Sequence, residues 1–216
     1  MSDPFQPDPF RAAFDPDALP AGTGVAIVGN APETGDHAAR IDAADLVVRF
    51  NNAPGLGRQA GTRTTHLVLV NHGGQMREWL EDPDFVRRRV VAEAGAFLLP
   101  FPPKPPEADP SEDGRDWTGE AAARLRPLGC PVAVLPEPLT REAAALVRRE
   151  AGRPAAPSTG YLTAFALLAV TRPEAVRFDV FGFGFAGWEG HAFDAERRWF
   201  EAMAAAGRLR LHPVRN

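Results

Sequence analysis

Three short stretches of this chain combine residue types that could bind a polar ligand or move a proton. In the first, Gly29-Asn30 follows one predicted strand and Asn51 follows the next. A side-chain amide carries a donor and an acceptor without a charge, which suits the edge of a nucleobase or a ribose hydroxyl. Taken alone, either asparagine is more simply explained as a turn residue with a left-handed backbone. Their shared position after neighbouring strands, where open α/β sheets bind ligands, favours a binding site.

The second stretch, Pro157-Ser158-Thr159-Gly160, precedes a run that is apolar almost all round. Such a run predicts a buried helix, and Ser158 or Thr159 would cap its N-terminus at the ligand cleft. Free backbone N–H groups and the positive end of the helix dipole form a site for an anion such as a phosphate. The alternative is that the hydroxyl only caps the helix.

The third stretch, His191-Ala-Phe-Asp-Ala-Glu196, opens the last predicted helix. Histidine has an ordinary pKa of about 6.5, so its imidazole can accept a proton at neutral pH. His191 is therefore the candidate general base. A single histidine at a helix start is also commonly a cap or a surface residue, and its residue type alone does not separate these roles.

Other ligand motifs are absent or incomplete. Gly22-Thr-Gly24 precedes its strand instead of following it, so it cannot form a pyrophosphate-binding turn. Gly182-Phe-Gly184-Phe-Ala-Gly187 does follow a strand. However, the acidic residue that binds the NAD ribose should lie about 20 residues further on, where the chain has Leu209-Arg210-Leu211-His212. We therefore disfavour an NAD-linked enzyme, and the missing Gly-Lys-Ser/Thr gives no support for a P-loop.

Composition excludes several further classes. The 24 basic residues are scattered among 28 acidic ones and the net charge is −4, so we expect no nucleic-acid partner. The two Asp-Pro-Asp triplets are explained by capping, and Cys130 is the only cysteine, so we expect no metal and no intrachain disulfide. No apolar run reaches the roughly 20 residues that span a bilayer. The start lacks a signal peptide, and we expect a cytoplasmic protein.

Short buried strands alternate with helices along the chain. This alternation predicts an α/β protein with a mainly parallel sheet and helices on both faces. Residues 1–22 are rich in proline and predict an extended arm, and residues 23–216 predict a single domain. Residues 100–119 predict a surface loop that is either a lid or disordered. The predicted strands are 24–28, 45–50, 66–70, 96–99, 132–135, 177–181 and 209–211, and the predicted helices 75–92, 119–126, 139–151, 160–171 and 191–206.

The three stretches, in this order, resemble the sialyl motifs of the eukaryotic-type sialyltransferases, glycosyltransferase family 29. Val25 to His66, with Val-Gly-Asn, Val-Arg-Phe-Asn and Gly-Thr-Arg-Thr-Thr, resembles the long motif. Pro157 to Gly184 resembles the short motif, and His191 to Glu196 the very short motif. The resemblance covers a minority of the chain and leaves residues 71–156 unmatched. It implies a small bacterial-type member with a GT-A-like, Rossmann-type nucleotide-binding sheet.

The resemblance also implies roles for the residues that match its motifs. The ribose and phosphate of a CMP-sugar would be held by Ser158, Thr159 and Gly160. The cytidine nucleotide would be contacted by Asn30 and Asn51, with Gly29 also in the donor site. Gly184 would allow close backbone approach there, His191 would be the base and Glu196 would be structural.

The activity implied is an inverting transfer of a sugar, sialic acid in the family, from a CMP-sugar donor to a hydroxyl of a glycan or another acceptor, with no metal or cofactor. Two departures leave alternatives open. Val25 stands where animal members have a disulfide cysteine, and a separate histidine motif is missing or merged, so His191 could instead contact the phosphate. A non-catalytic, nucleotide-binding accessory protein that retains the fold is therefore the alternative.

Overall fold

Seven strands, all parallel, form one sheet in the computed structural model, which describes residues 8–32, 34–105 and 114–214. Most of them are short runs of buried apolar residues, as the sequence predicted, and the mainly parallel α/β fold is confirmed. The strands are β1 (Thr23–Val28), β2 (Leu46–Phe50), β3 (His66–Val68), β4 (Ala96–Leu99), β5 (Val132–Val134), β6 (Val176–Phe181) and β7 (Arg210–Leu211).

The order of the strands places a crevice beside the first one. The sheet runs β5-β4-β3-β2-β1-β6-β7, so β1 lies between β2 and β6. After β1 the chain builds the sheet outwards to β5, and then returns to the other side of β1 to form β6. This reversal leaves a crevice at the carboxyl ends of β1 and β6, where sheets of this kind bind ligands.

Helices cover both faces of the sheet. On one face Ile27 and Leu98 pack with α6, α7 and α8, and on the other Leu67 and Phe97 pack with α3, α4 and α5. The helices of the described residues are α1 (Pro9–Ala13), α2 (Ala38–Asp42), α3 (Gly74–Glu81), α4 (Arg89–Ala92), α5 (Thr118–Leu125), α6 (Glu137–Ala151), α7 (Thr159–Val170) and α8 (Phe193–Ala205). None of them is both long enough and apolar enough to cross a lipid bilayer.

The predicted extended arm is wrong over residues 9–13, which form α1. Asp8 caps this helix by accepting a hydrogen bond from the Phe10 N–H, and proline is favoured at the first helical position. Phe10 is buried, and the buried His66 ring bonds through Nε2 to the Ala13 carbonyl oxygen at 2.8 Å. The start of the described chain is thereby fixed to the sheet. Residues 1–7 of the arm and residues 106–113 of the predicted loop lie outside the described residues.

Two predicted helix boundaries also differ. The helix predicted over 75–92 is broken after Glu81, because Pro83 disfavours a helical backbone at the residue before it and Asp82 is extended, with ψ at 113°. A 3-10 helix (Phe85–Arg87) and α4 follow the break. The last helix begins at Phe193, so His191 lies in the loop before α8.

Candidate functional site

A cavity of about 400 Å³ opens at the carboxyl ends of β1 and β6, where the sheet order places the crevice. It is bordered by the loops after β1, β2 and β6, by the N-terminus of α7 and by the first turn of α8. The structure brings all the predicted site residues to this cavity: Gly29, Asn30, Asn51, Ser158, Thr159, Gly160, Gly184, His191 and Glu196.

Glycines allow the ends of β1 and β6 to approach closely at the cavity. A Cβ built on Gly29 would lie 2.4 Å from the Gly182 carbonyl oxygen, and Gly182 has a φ of +66°, which favours glycine. A Cβ on Gly184 would meet its nearest neighbour, the Ala31 Cβ, at 3.4 Å, which is an ordinary contact. Gly182, to which the sequence reasoning assigned no role, therefore lets these two loops approach, and the close approach of a donor at Gly184 stays a prediction.

Phe183 is a second residue that the sequence reasoning missed. Its ring contacts Phe50 and Phe200, with centroids 6.0 Å and 4.9 Å apart. A Cβ built on Gly160 would lie 2.8 Å from Phe183 Cε1, so only glycine lets the start of α7 pack against this ring. Phe183 thus sets the position of the α7 N-terminus relative to β6. In the sequence, the position of Phe183 between two glycines after a predicted strand could have indicated this packing role.

The two asparagines are each held by one hydrogen bond and keep a free polar atom. Asn30 donates through Nδ2 to the Phe50 carbonyl oxygen at 3.1 Å, and Asn51 accepts through Oδ1 from the Val70 N–H at 2.9 Å. Asn51 has a φ of +53°, so it also fills a left-handed turn position. Within the described ranges, nothing donates to Oδ1 of Asn30 and nothing accepts from Nδ2 of Asn51. The pair therefore offers one acceptor and one donor.

The N-terminus of α7 is partly occupied by a carboxylate. Ser158 caps the helix by accepting from the Tyr161 N–H, as predicted. Its own N–H donates to Glu196 Oε1 at 2.7 Å, and its hydroxyl donates to Glu196 Oε2 at 2.6 Å. The N–H groups of Thr159 and Gly160 have no acceptor in the part of the chain that the structure describes. These two groups are the free donors of the helix end.

Glu196 is 1% exposed although it carries a carboxyl group. Burial raises the pKa of Glu196, and the hydrogen bonds from Ser158 and the charge of His191 act in the opposite direction. Because it lies in the first turn of α8 and bonds to the cap of α7, Glu196 joins the two helices at the cavity wall.

His191 is oriented by the backbone. Its Nδ1 lies 2.8 Å from the Ala156 carbonyl oxygen, which can only accept a hydrogen bond, so Nδ1 carries the proton. The neutral ring then has its lone pair on Nε2, which has no partner among the described residues. Trp188 and Phe193 contact the ring edge to face, at centroid distances of 5.0 Å and 5.2 Å. The imidazole is therefore fixed in the tautomer that a general base requires.

Positively charged side chains do not line this cavity in the described part of the chain, and His191 and Glu196 are its titratable groups. A bound anion would therefore depend on the N–H groups of α7 and on the imidazole. The described ranges also hold no cluster of three His, Cys, Asp or Glu residues suited to a metal ion.

Much of the stretch that resembles the long sialyl motif stabilises a loop beside the cavity and does not line the cavity. Arg49 is buried and donates to the Ala60 and Arg63 carbonyl oxygens, at 2.6 Å and 2.7 Å. Burial lowers the pKa of Arg49 to about 10, and the charge of Asp42 opposes this shift. Asp42 in turn accepts hydrogen bonds from the N–H groups of Thr62 and Arg63. These residues fix the connection between β2 and β3.

A second cavity, of about 360 Å³, continues from the first. The two share Asn51, Thr159, Trp188 and His191. The second is also bordered by residues to which the sequence reasoning gave no function, namely Val70, His72, Gln75, Phe101, Lys104, Gly114, Ala156 and Pro157. His191 therefore borders both cavities.

Comparison with known proteins gives one sequence relative and several similar folds. The chain is 30% identical over 209 residues to the urease operon 23 kDa accessory protein of Rhizobium meliloti (strain 1021), covering 90% of this chain and 95% of that protein. No protein-family model matches.

Solved sialyltransferases share the fold at low sequence identity. A mammalian sialyltransferase aligns with a TM-score of 0.54 and 18% identity, over 90% of this chain and 70% of that one. The α-2,3-sialyltransferase of Campylobacter jejuni aligns at 0.57 and 11%, over 89% and 75%. A C. jejuni sialyltransferase in complex with cytidine-5'-monophosphate aligns at 0.56 and 10%, over 88% and 78%. The predicted GT-A-like sheet is confirmed.

Proposed function

Since the chain belongs to the family of the urease operon 23 kDa accessory protein and has the fold of the sialyltransferases, we propose that it is a glycosyltransferase that uses a CMP-sugar. The sugar is sialic acid if the resemblance to glycosyltransferase family 29 extends to the donor. One observation carries the proposal: the free Nε2 of His191 borders the same cavity as the free N–H groups of Thr159 and Gly160. A proton acceptor and an anion site are thus combined at the crevice.

The donor nucleotide fits the polar atoms that the cavity leaves free. Cytosine carries an amino donor and ring acceptors on one edge, which match Oδ1 of Asn30 and Nδ2 of Asn51. The α7 N-terminus would bind the phosphate through Thr159 and Gly160. Because Glu196 already accepts from both polar groups of Ser158, we assign Ser158 to holding the helix end in place.

The reaction is a single displacement at the anomeric carbon. The acceptor hydroxyl oxygen attacks this carbon while Nε2 of His191 takes the hydroxyl proton, and the bond between the carbon and the phosphate oxygen breaks. The sugar passes through an oxocarbenium-like state, and CMP leaves with the electrons of that bond. The N–H groups of α7 stabilise the negative charge that the phosphate gains. No metal or cofactor takes part in these steps.

A second function is favoured by the sequence relative. That relative is named as an accessory protein of a urease operon, and this chain matches nearly its whole length. The cavity would then bind a nucleotide without transferring a sugar, and His191 would contact the phosphate. Both functions predict nucleotide binding, so they differ in turnover and in the role of His191.

The test is hydrolysis of CMP-sialic acid by the wild type and by His191→Asn. Asparagine retains a donor for the Ala156 carbonyl oxygen but has no basic nitrogen. We expect turnover to fall about 100-fold or more, the range for a lost general base. CMP affinity, measured by calorimetry with NAD as a negative control, should change by less than about threefold. Equal turnover of the two proteins would remove the catalytic role, and CMP binding by an inactive wild type would establish the accessory function.

A further inference from the structure

An open groove of about 850 Å³ lies behind the loop that carries His191. We call it the arginine groove, and its walls are Arg148, Arg149, Gly152, Arg153, Pro154, Ala155, Ala156, Trp188 and Gly190. Trp188 is 65% exposed and is the one large hydrophobic side chain with such exposure in the described ranges. Because Trp188 also borders both cavities at the candidate site, the groove continues from them.

The arginine groove is positively charged on a chain whose net charge is −4. Arg148 donates to the Ala155 carbonyl oxygen, and Arg153 donates to the carbonyl oxygens of Pro154, Glu189 and His191. Neither pairs with a carboxylate of the described residues, whereas Arg149 has a weak pair with Glu150 at 3.5 Å. Among the described residues, no acidic side chain lines the groove. The guanidinium groups of Arg148 and Arg153 are thus held in place without an ion pair to the described residues.

Helix stability explains only part of this arrangement. Arg148 and Arg149 lie in the last turn of α6, where basic residues interact favourably with the helix dipole. Arg153 lies beyond the end of α6, and an exposed indole gives the helix no support. Tryptophan and arginine side by side are typical of binding surfaces, because the indole offers a large flat face and the guanidinium binds carboxylate or phosphate.

The groove is connected directly to the candidate base. Arg153 donates through Nη2 to the His191 carbonyl oxygen at 2.9 Å. Ala156 in the groove wall donates from its N–H to the Gly190 carbonyl oxygen, and its own carbonyl oxygen accepts from His191 Nδ1. A molecule bound along the groove and over Trp188 would therefore reach the second cavity, which His191 borders.

We propose that the arginine groove binds the anionic part of the acceptor, a glycan or similar polyhydroxylated molecule that bears a carboxylate or a phosphate. The inference rests on the proposed function, since it assigns the acceptor class of the same site. The guanidinium groups bind the anion, the Trp188 ring lies under a sugar ring, and the acceptor hydroxyl lies near Nε2 of His191.

The test measures binding of three probes to the full chain: tetragalacturonate, phosphorylated maltotetraose and neutral maltotetraose. Quenching of Trp188 fluorescence reports the binding, with Trp188→Phe as the spectroscopic blank. The variant is Arg148→Gln combined with Arg149→Gln. Arg141→Gln is the matched control, because Arg141 is an exposed arginine at the other end of α6 that pairs with Glu137.

We expect both arginine substitutions together to weaken the preferred anionic probe about tenfold or more, the effect of losing a hydrogen bond to a charged group. The control should bind like the wild type, and the probe that binds more tightly identifies carboxylate or phosphate as the anion. CMP affinity of the double variant should stay unchanged.

Equal anionic binding by the double variant and the control would overturn the inference. Wild type that binds no probe would also overturn it and favour a protein partner at Trp188. Failure of the proposed function appears separately, as a wild type that does not turn over CMP-sialic acid.

Discussion

Replacing Glu196 tests how the N-terminus of α7 is held. Glu196 is 1% exposed and accepts two hydrogen bonds from Ser158, one from its N–H and one from its hydroxyl. In Glu196→Ala both bonds are lost, and the N–H of the half-buried Ser158 is left without a partner. The change therefore disconnects α8 from the cap of α7.

The expected loss of stability follows from these two contacts. A hydrogen bond to a charged group contributes about 1.5–3 kcal/mol, and removing a buried carboxylate returns part of its desolvation cost. We expect a net loss of about 2–4 kcal/mol for Glu196→Ala. In a domain of this size each kcal/mol lowers Tm by about 2–4 °C, so Tm should fall by roughly 5–15 °C.

Glu196→Gln removes the titratable charge of this side chain and keeps its shape. Burial raises the pKa of Glu196 in the folded protein above its unfolded value, so folding favours the protonated carboxyl. The stability that this proton contributes is present below the ordinary carboxyl pKa and is lost as pH rises through the folded pKa. Glutamine does not titrate. The Tm of the wild type minus that of Glu196→Gln should therefore decrease as pH rises above about 4.5, the ordinary pKa of this carboxyl group.

The assay is thermal unfolding followed by circular dichroism across this pH range. Glu201→Gln is the control, because Glu201 lies on the same helix and is exposed. A Tm of Glu196→Ala within about 1 °C of the wild type would show that the Ser158 contacts do not stabilise the fold. A difference between wild type and Glu196→Gln that increases with pH would refute the effect of burial on this carboxyl group.

Substitutions at two further positions test the backbone at the crevice. Gly182→Ala places a Cβ 2.9 Å from the Gly29 carbonyl oxygen at a φ of +66°. The control is Gly129→Ala, which has a φ of +72° and nothing within 4 Å of its Cβ. In urea unfolding, Gly182→Ala should therefore lose about 1–3 kcal/mol more free energy of unfolding than the control. Asn51→Ala loses the bond to the Val70 N–H at a φ of +53° and should cost about 1–2 kcal/mol, whereas Asn51→Gly should cost less. Both Asn51 variants should bind CMP more weakly in calorimetry, and unchanged affinity would exclude the amide from the nucleotide site.

The general place of the site could be predicted because it follows from strand order. Asn30 and Asn51 end adjacent parallel strands, and the carboxyl ends of such strands meet at one edge of the sheet. The capping of α7 by Ser158 was also readable, since a hydroxyl before an apolar run is a local signal. These features depend on neighbours in sequence or on the alternation of strands and helices.

Contacts between distant residues could not be predicted in this way. Glu196 and Ser158 are 38 positions apart, and no local pattern indicates that the carboxylate binds the helix cap. Phe183 acts through its fit against Gly160, which depends on the angle between α7 and β6. In the N-terminal segment, Asp8-Pro9 was a readable helix start, but the density of prolines around it favoured an extended chain.

The position of Glu196 changes what the motif resemblance implies for binding. Its carboxylate takes both donors of Ser158, so the helix end that the resemblance assigns to a phosphate keeps only the N–H groups of Thr159 and Gly160. The described lining includes no arginine or lysine. Under the proposed function, nucleotide affinity would therefore depend on the geometry of neutral donors more than on charge. The charges that could bind an anion strongly lie in the arginine groove instead. Under the two proposals above, the nucleotide would bind to neutral donors, whereas the anionic part of the acceptor would bind to cations.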